Sequence, residues 1–87
     1  MPYALRFSDP AEKNLAKLSY QTQSRTLKAL RRLSDDPRRA PGVKKLTGES
    51  LYRLRVGDFR VIFAVHDEAA EVVVLKIGHR RDIYRHR

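Results

Sequence analysis

The 87-residue sequence contains no cysteine, and it has no apolar run of 18 residues. Without cysteine, the chain can form neither a disulfide framework nor a thiolate metal site. Without a long apolar run, it cannot cross a membrane as a helix. The first ten residues, MPYALRFSDP, also lack the apolar segment of a secretory signal. From these absences we expect a soluble, cytoplasmic protein with no membrane partner.

Acidic residues are scarce relative to basic ones. Ten Asp and Glu stand against nineteen Lys and Arg, which gives a net charge of +9 and a pI near 10.5, and thirteen of the nineteen are arginine. The arginine side chain carries a planar fork of donors that matches phosphate. Solubility needs far less charge than this. The composition therefore predicts a nucleic acid or an acidic protein as partner.

The first half of the chain predicts one strand and two helices within a single domain, residues 1–87. The segment PYALRFS alternates weakly and predicts a strand. SDP then supplies a helix start, with Ser8 or Asp9 as the N-cap, and AEKNLAKLS follows. After a break at SYQTQ, an apolar stripe at three- and four-residue spacing predicts a longer helix, about residues 21–35; it consists of Leu27, Ala29, Leu30 and Leu33. The proline-rich SDDPRRAPG ends it.

From residue 43 onward the apolar period changes to two. VKKL is a candidate short strand, and LYRLRV, FRVIFAVH and EVVVLKIG predict three strands joined by turns at GD and DEAA. The order β-α-α-β-β-β predicts an α+β fold. Two N-terminal helices pack on one face of a small, mainly antiparallel sheet.

Alternation in these strands gathers basic residues on one face. Apolar rows, including Val73, Leu75 and Ile77 in the last strand, are expected to face the helices. The opposite rows then carry Arg53, Arg55, Arg60 and Lys76 on the face that the helices leave open. Like charges side by side cost free energy, so this face is predicted to bind phosphate. In the alternative reading these side chains extend into solvent, or pair with Glu49, Asp58 and Glu71.

The tail GHRRDIYRHR adds a second basic cluster where the last strand ends. An aromatic residue among arginines suits stacking on the bases of single-stranded RNA. Tyr84 is therefore a candidate base-stacking residue, with Arg80, Arg81 and Arg85 around it.

Two motifs in this chain resemble those of the RelE/ParE superfamily of bacterial toxin components, in its RelE branch. They are KKLTGESLYRLRVGDFRVIFAV and VLKIGHRRDIY. The resemblance implies an RNA-cleaving toxin that acts on messenger RNA in the A site of the 70S ribosome. It also implies a cognate antitoxin that wraps and inhibits the toxin, and a complex of the two that represses its own operon, so that operator DNA is contacted only through that complex.

The same resemblance implies a set of site residues. The expected catalytic residues are Arg53, Arg55, Arg60, Arg80 and Tyr84. Apart from the residues that the resemblance implies, we also expect Lys44, Lys45, Lys76, Arg81 and Arg85 to bind RNA.

Metal-free RNA cleavage uses the ribose 2′-OH to attack the adjacent phosphorus, so the site must remove a proton, stabilise the phosphorane and protonate the leaving oxygen. No cluster of Asp, Glu and His has metal-ligand spacing, so we expect no metal and no cofactor. Relatives often carry lysine where this chain has Arg53 and Arg55, and arginine does not release its proton. His79 is therefore the candidate proton-transfer group. Glu49 and Asp82 are weaker candidates.

Two other functions remain open from the sequence. The ParE branch shares the fold but inhibits DNA gyrase without cutting RNA, and its members tend to lack the complete basic set. A nucleic-acid-binding module without any cleavage activity is the third reading. The combination of four arginines with Tyr84 favours the nuclease.

Overall fold

A computed structural model describes residues 2–46, 48 and 50–83 of the chain. Its elements, in chain order, are β1 (Ala4–Phe7), α1 (Asp9–Ala16), α2 (Tyr20–Asp35), β2 (Val43–Lys45), β3 (Tyr52–Val56), β4 (Phe59–His66) and β5 (Glu71–His79). The predicted α+β fold with its two N-terminal helices is confirmed. The candidate strand VKKL is present as β2, at the edge of the sheet.

Both helices begin at a serine that satisfies a free backbone donor. The Ser8 hydroxyl accepts from the Ala11 N–H at 3.2 Å, and the Ser19 hydroxyl accepts from the Thr22 N–H at the same distance. Ser19 lies between the two helices, so its cap marks the point where α2 begins as a separate helix. No helix within the described ranges is long and apolar enough to span a bilayer.

The five strands form one sheet in the order β1-β5-β4-β3-β2. β1 runs parallel to β5, and the other neighbours are antiparallel. The turn between β3 and β4 is the predicted Gly57–Asp58 pair, and Gly57 has a φ of +59°, a conformation that glycine adopts without strain. This turn brings Arg55 and Arg60 directly opposite each other.

The core lies between the helices and one face of the sheet. It joins Ala11 of α1 and two leucines of α2 to side chains from β3, β4 and β5. The buried apolar residues of this cluster are Ala11, Leu30, Leu33, Leu54, Val61, Phe63, Val72, Val74 and Ile77. The opposite face of the sheet carries no helix from the described part of the chain.

The sequence-based assignment of the β5 rows is right for Lys76 and Ile77 and wrong for Val72, Val73 and Val74. Ile62 pairs with Lys76 while the next residue, Phe63, pairs with Val74, so Leu75 is an extra residue in a β-bulge. The bulge reverses the alternation, because one added residue moves every following side chain to the other face. Val72 and Val74 are therefore fully buried, although they were expected opposite the core.

The start of α1 covers the edge of β5 around the bulge. The Ser8 N–H donates to the Val74 carbonyl at 2.9 Å, and the Ser8 hydroxyl donates to the Leu75 carbonyl at 3.0 Å. Two turns later, the Asn14 side-chain oxygen accepts from the Ile77 N–H at 3.0 Å. β1 pairs with β5 only as far as Val74. The contacts from α1 satisfy the backbone groups of β5 beyond that point, and the bulge at Leu75 lies where β1 ends.

Candidate nucleic-acid interface

The pairing of the strands brings five basic residues onto the open face of the sheet. Arg55 lies opposite Arg60, Arg53 lies opposite Ile62, and Ile62 lies opposite Lys76. On the outer side Lys44 pairs with Arg53. We call this set the basic face, and its members are Lys44, Arg53, Arg55, Arg60 and Lys76.

Backbone carbonyls, rather than carboxylates, hold the guanidinium groups of the basic face. Arg53 donates to the Gly42 carbonyl at 3.2 Å, and Arg60 donates to the carbonyls of Gly57 and Phe59, both at 2.9 Å. Among the described residues, no carboxylate forms an ion pair with Arg53, Arg55 or Arg60. Arg53 and Arg60 are therefore oriented, and all three arginines keep an uncompensated positive charge.

Two of the acids considered as partners are engaged elsewhere. Glu71 pairs with Arg6 at 3.1 Å, and Asp58 lies 3.5 Å from the Nε of Arg80. The third acid, Glu49, lies outside the described residues. Asp58 therefore attaches Arg80 to the β3–β4 turn, where Arg60 also lies.

The chain after β5 folds back onto the basic face in a tight turn. The N–H groups of Asp82 and Ile83 both donate to the His79 carbonyl, and the Arg80 N–H donates to the Asp58 carbonyl at 2.7 Å. Ile83 is buried against Gly78, where a Cβ would lie only 3.1 Å from the Ile83 Cδ1. Since Gly78 pairs with Arg60, the turn covers the β5 side of this face.

Lys76 contacts this turn directly. Its Nζ donates to the Ile83 carbonyl at 3.0 Å. Lys76 therefore anchors the C-terminal turn in this structure, in addition to its predicted role in RNA binding. Arg81 and Asp82 are exposed in the same turn. Tyr84 and Arg85, both predicted site residues, lie outside the described residues.

His79 does not lie with the arginines of the basic face. It pairs with Phe59 across the strands and so belongs to the helix side of the sheet. Its ring meets Phe59 edge-on at 5.5 Å between centroids, and its Nδ1 accepts from the Arg81 N–H at 3.1 Å. Lys45 is separated in the same way, because it pairs with Tyr52 and faces away from Lys44.

Two residues at the site, Gly42 and Arg25, were not predicted from the sequence. Gly42, with a φ of +87°, accepts from both the Arg53 guanidinium and the Arg55 N–H. Arg25 of α2 packs against the β3–β4 turn, where a Cβ on Gly57 would lie 3.2 Å from its terminal nitrogen. In the sequence, Arg25 is one of several basic residues on the exposed side of a helix, and no local signal distinguishes it.

A separate polar cluster lies at the other end of the sheet. Arg38 donates twice to the Asp67 carboxylate, at 3.0 and 2.8 Å, and its Nε donates to the Tyr52 hydroxyl at 3.0 Å. The Tyr3 hydroxyl donates to the same carboxylate at 2.7 Å. We call these four residues the Arg38 cluster. It ties the segment after α2 to β3, to the β4–β5 turn and to the residue before β1.

The Arg38 cluster shifts the pKa values of its members. Hydrogen bonds from Arg38 and then Tyr3 lower the pKa of Asp67 from 3.8 to about 2. The hydrogen bond to Asp67 raises the pKa of Tyr3, and the same carboxylate raises the pKa of Arg38. Across residues 2–46, 48 and 50–83, no three His, Asp or Glu side chains form a group that could hold a metal ion.

Comparison with known proteins identifies the class of this fold and site. Residues 5–84 match the family described as the ParE toxin of type II toxin-antitoxin system, parDE. The chain is 35% identical to the toxin RelG of Mycobacterium tuberculosis, over 98% of this chain and 99% of that protein. It is 31% identical to a putative RelE-like toxin protein of Escherichia coli, over 97% and 92% of the two chains.

Solved structures agree with the sequence comparison. The toxin–antitoxin complex RelBE2 of Mycobacterium tuberculosis aligns with a TM-score of 0.83 at 30% identity, covering 94% of this chain and 95% of the other. The archaeal RelE–RelB complex of Pyrococcus horikoshii aligns with a TM-score of 0.81 at 30% identity, covering 94% and 99%. The chain therefore belongs to the RelE/ParE superfamily of type II toxins, in the RelE branch, as its motifs predicted.

Proposed function

We propose that this toxin is a metal-independent endoribonuclease that cleaves messenger RNA in the A site of the ribosome. The observation that carries the proposal is the basic face, where Arg53, Arg55 and Arg60 share one open surface without a described carboxylate partner. Such a surface attracts a polyanion, because the cost of bringing like charges together is relieved when phosphate binds.

Arg60 and Arg80 are the proposed clamps for the scissile phosphate. The β3–β4 turn holds both of them, Arg60 through two backbone carbonyls and Arg80 through Asp58. Guanidinium groups fixed before the reaction stabilise the phosphorane without a reorganisation cost at the moment of bond formation. Arg53 and Arg55 extend the same positive field along the neighbouring strand, where they hold the backbone of the message. Tyr84 stays our candidate for base stacking.

The side chains of this site are poorly suited to the two proton transfers that cleavage requires. Arginine does not act as a base, His79 lies on the other side of the sheet from Arg60, and the Lys76 ammonium donates to the Ile83 carbonyl. We therefore propose that the chain works mainly by positioning the RNA and stabilising charge, and that the ribosome holds the message in the in-line geometry. Equal cleavage rates on naked and ribosome-bound message would contradict this ribosome dependence.

A cognate antitoxin is the proposed protein partner. The structures of RelE-type relatives from Mycobacterium tuberculosis and Pyrococcus horikoshii are toxin–antitoxin complexes. With a net charge of +9, this chain suits an acidic or amphipathic partner that lays a helix or strand across its surface. We further propose that only the complex of the two proteins binds operator DNA.

The test is a reconstituted translation reaction with a reporter message. Arg60→Ala and Arg80→Ala should each abolish message cleavage in this reaction, and growth arrest when the variants are expressed in cells, while leaving the fold and antitoxin binding intact. Arg6→Ala is the matched control, because Arg6 lies on the same side of the sheet but is paired with Glu71. Wild-type toxicity in both site variants would contradict the site assignment.

The same reaction, supplemented with DNA gyrase and plasmid DNA, separates the alternative functions. The family description names the ParE toxin, so gyrase inhibition is the second candidate. DNA breaks that depend on gyrase, with the message left intact, would support that candidate and exclude the nuclease. If the reaction shows neither message cleavage nor DNA breaks, the remaining candidate is a nucleic-acid-binding module without cleavage activity.

A further inference from the structure

A small cleft lies between α2 and the β3–β4 turn, on the other side of the turn from Arg60. It encloses about 140 Å³ and is lined by Thr22, Arg25, Val56, Asp58 and Phe59. A volume of this order admits one planar ring and excludes a peptide helix, whose diameter with side chains is about 10–12 Å. The cleft therefore suits a small group at the end of a chain, or one unit of a polymer.

The walls of the cleft combine the contacts that a nucleotide needs. Val56 and Phe59 are half-buried and provide apolar surface for a base. The Asp58 carboxylate and the Thr22 hydroxyl can pair with polar groups on the edge of that base. Arg25 forms no hydrogen bond or ion pair with any other described residue, so its guanidinium is available to a phosphate.

The cleft is connected to the basic face through the β3–β4 turn. Arg60 donates to the carbonyl of Gly57, Arg25 packs against the same glycine, and Arg80 is held by Asp58. Three guanidinium groups, two from strand ends and one from α2, therefore surround a two-residue turn. Arg60, Arg80 and the cleft are therefore all supported by the same two-residue turn.

We propose that this cleft is a subsite for the nucleotide next to the scissile phosphate, with Arg25 bound to that nucleotide's phosphate and its base against Val56 and Phe59. The subsite rests on the proposed nuclease function, and it assigns to α2 a part in substrate binding. The subsite lies on the helix side of the sheet, whereas the basic face lies on the opposite side.

The test measures the affinity of the full-length protein for single-stranded RNA oligonucleotides with a 2′-O-methyl group at every ribose, which blocks cleavage. The oligonucleotides form a series in which each member is one nucleotide longer than the one before. For the wild type, one added nucleotide should raise the affinity by about five-fold or more, the low end of the energy of stacking one base. Arg25→Ala should lose most of this increment while retaining its affinity for the shorter oligonucleotides.

Two further variants make the result specific. Arg31→Ala is the matched control, because this exposed arginine lies about 9 Å further along the same helix and does not line the cleft. Thr22→Leu should remove the increment by filling the cleft while keeping every positive charge. The subsite is contradicted if Arg25→Ala and Arg31→Ala weaken binding equally, or if Thr22→Leu retains the increment.

The outcome for the subsite is distinguishable from the outcome for the proposed function. If Arg60→Ala abolishes message cleavage while the wild type shows no increment, or an increment that is insensitive to Arg25 and Thr22, the nuclease stands and the subsite falls. If the wild type neither binds the oligonucleotides nor cuts the message, both proposals fall together.

Discussion

The basic face and the Arg38 cluster use the same side chain in opposite ways. Arg38 is neutralised by a bidentate contact with Asp67 and packs 5.7 Å from the centre of the Tyr52 ring. Arg53, Arg55 and Arg60 have no such acid among the described residues, and carbonyl oxygens orient two of them. The first arrangement links separate segments of the chain, whereas the second leaves the charge for a partner.

This difference shows what decides the role of an arginine in a very basic protein. Ten acidic residues cannot neutralise nineteen basic ones, so the positions of the few acids select which arginines stabilise the fold. Arg6 and Arg38 donate hydrogen bonds to a carboxylate, whereas Arg80, at 3.5 Å from Asp58, stays exposed beside the β3–β4 turn of the candidate site. The arginines left over on an open sheet face define the candidate site. The two regions should therefore respond differently to substitution, acid and salt.

The largest expected effect is on the basic face. Arg60→Lys keeps the positive charge but loses the fork of donors that the turn carbonyls hold, so cleavage should fall by roughly 10²–10³-fold, as when one oriented donor is removed from an active site. Arg38→Ala should leave the cleavage rate per folded molecule unchanged. Single-turnover cleavage of ribosome-bound message measures both. Wild-type activity in Arg60→Lys would show that only net charge matters at this position.

The second prediction concerns the carbonyl that orients Arg53. Gly42→Ala places a Cβ 3.1 Å from the Arg55 carbonyl oxygen, at a φ of +87°. We expect a loss of about 1–3 kcal/mol in the free energy of unfolding, the range for a strained backbone conformation. Cleavage should fall even under conditions where the variant is fully folded. Gly48→Ala, at a φ of +73° in an open position, is the control: it shares the backbone strain without the close contact.

A smaller effect is expected in the salt dependence of RNA binding. If Arg55 contacts one phosphate, Arg55→Ala should reduce the slope of log K against log salt by about 0.7. Arg6→Ala should change the slope less, because Arg6 is paired with Glu71. Fluorescence anisotropy with a non-cleavable single strand, titrated over several salt concentrations, gives the slopes. Equal slope changes in the two variants would remove the distinction between paired and unpaired arginines.

The smallest effect is expected in the Arg38 cluster, in acid. Because the folded-state pKa of Asp67 is lowered from 3.8 to about 2, its contribution to stability is present above its unfolded pKa. That contribution is lost as the pH falls from about 4 towards 2. Thermal unfolding of the wild type and Asp67→Asn should therefore differ at pH 6 and converge near pH 2. The difference should also shrink with added salt, since the pair is exposed. A difference at pH 2 as large as the difference at pH 6 would contradict this account.

How much of the site could be predicted depends on how far along the chain each sequence pattern acts. Period-two alternation predicted that Arg53, Arg55 and Arg60 share one face, because alternation is a local property of an extended chain. It failed for the first part of β5, because the bulge at Leu75 reverses the rows of the residues that precede it. Sequence proximity placed His79 near the arginines, whereas pairing with Phe59 places it on the helix side of the sheet. Arg25 could not be found at all, since its contact with Gly57 joins segments 32 residues apart.

By itself the sequence determined the elements, their order, the excess of positive charge and the family. These depend on caps, turns and apolar periods, which act over a few residues. Only the tertiary structure decided which arginines are paired with an acid, where the β5 register shifts, and which helix side chain meets the β3–β4 turn. Those outcomes depend on distances between segments that are remote in the chain, and such distances are set by the packing of the whole core.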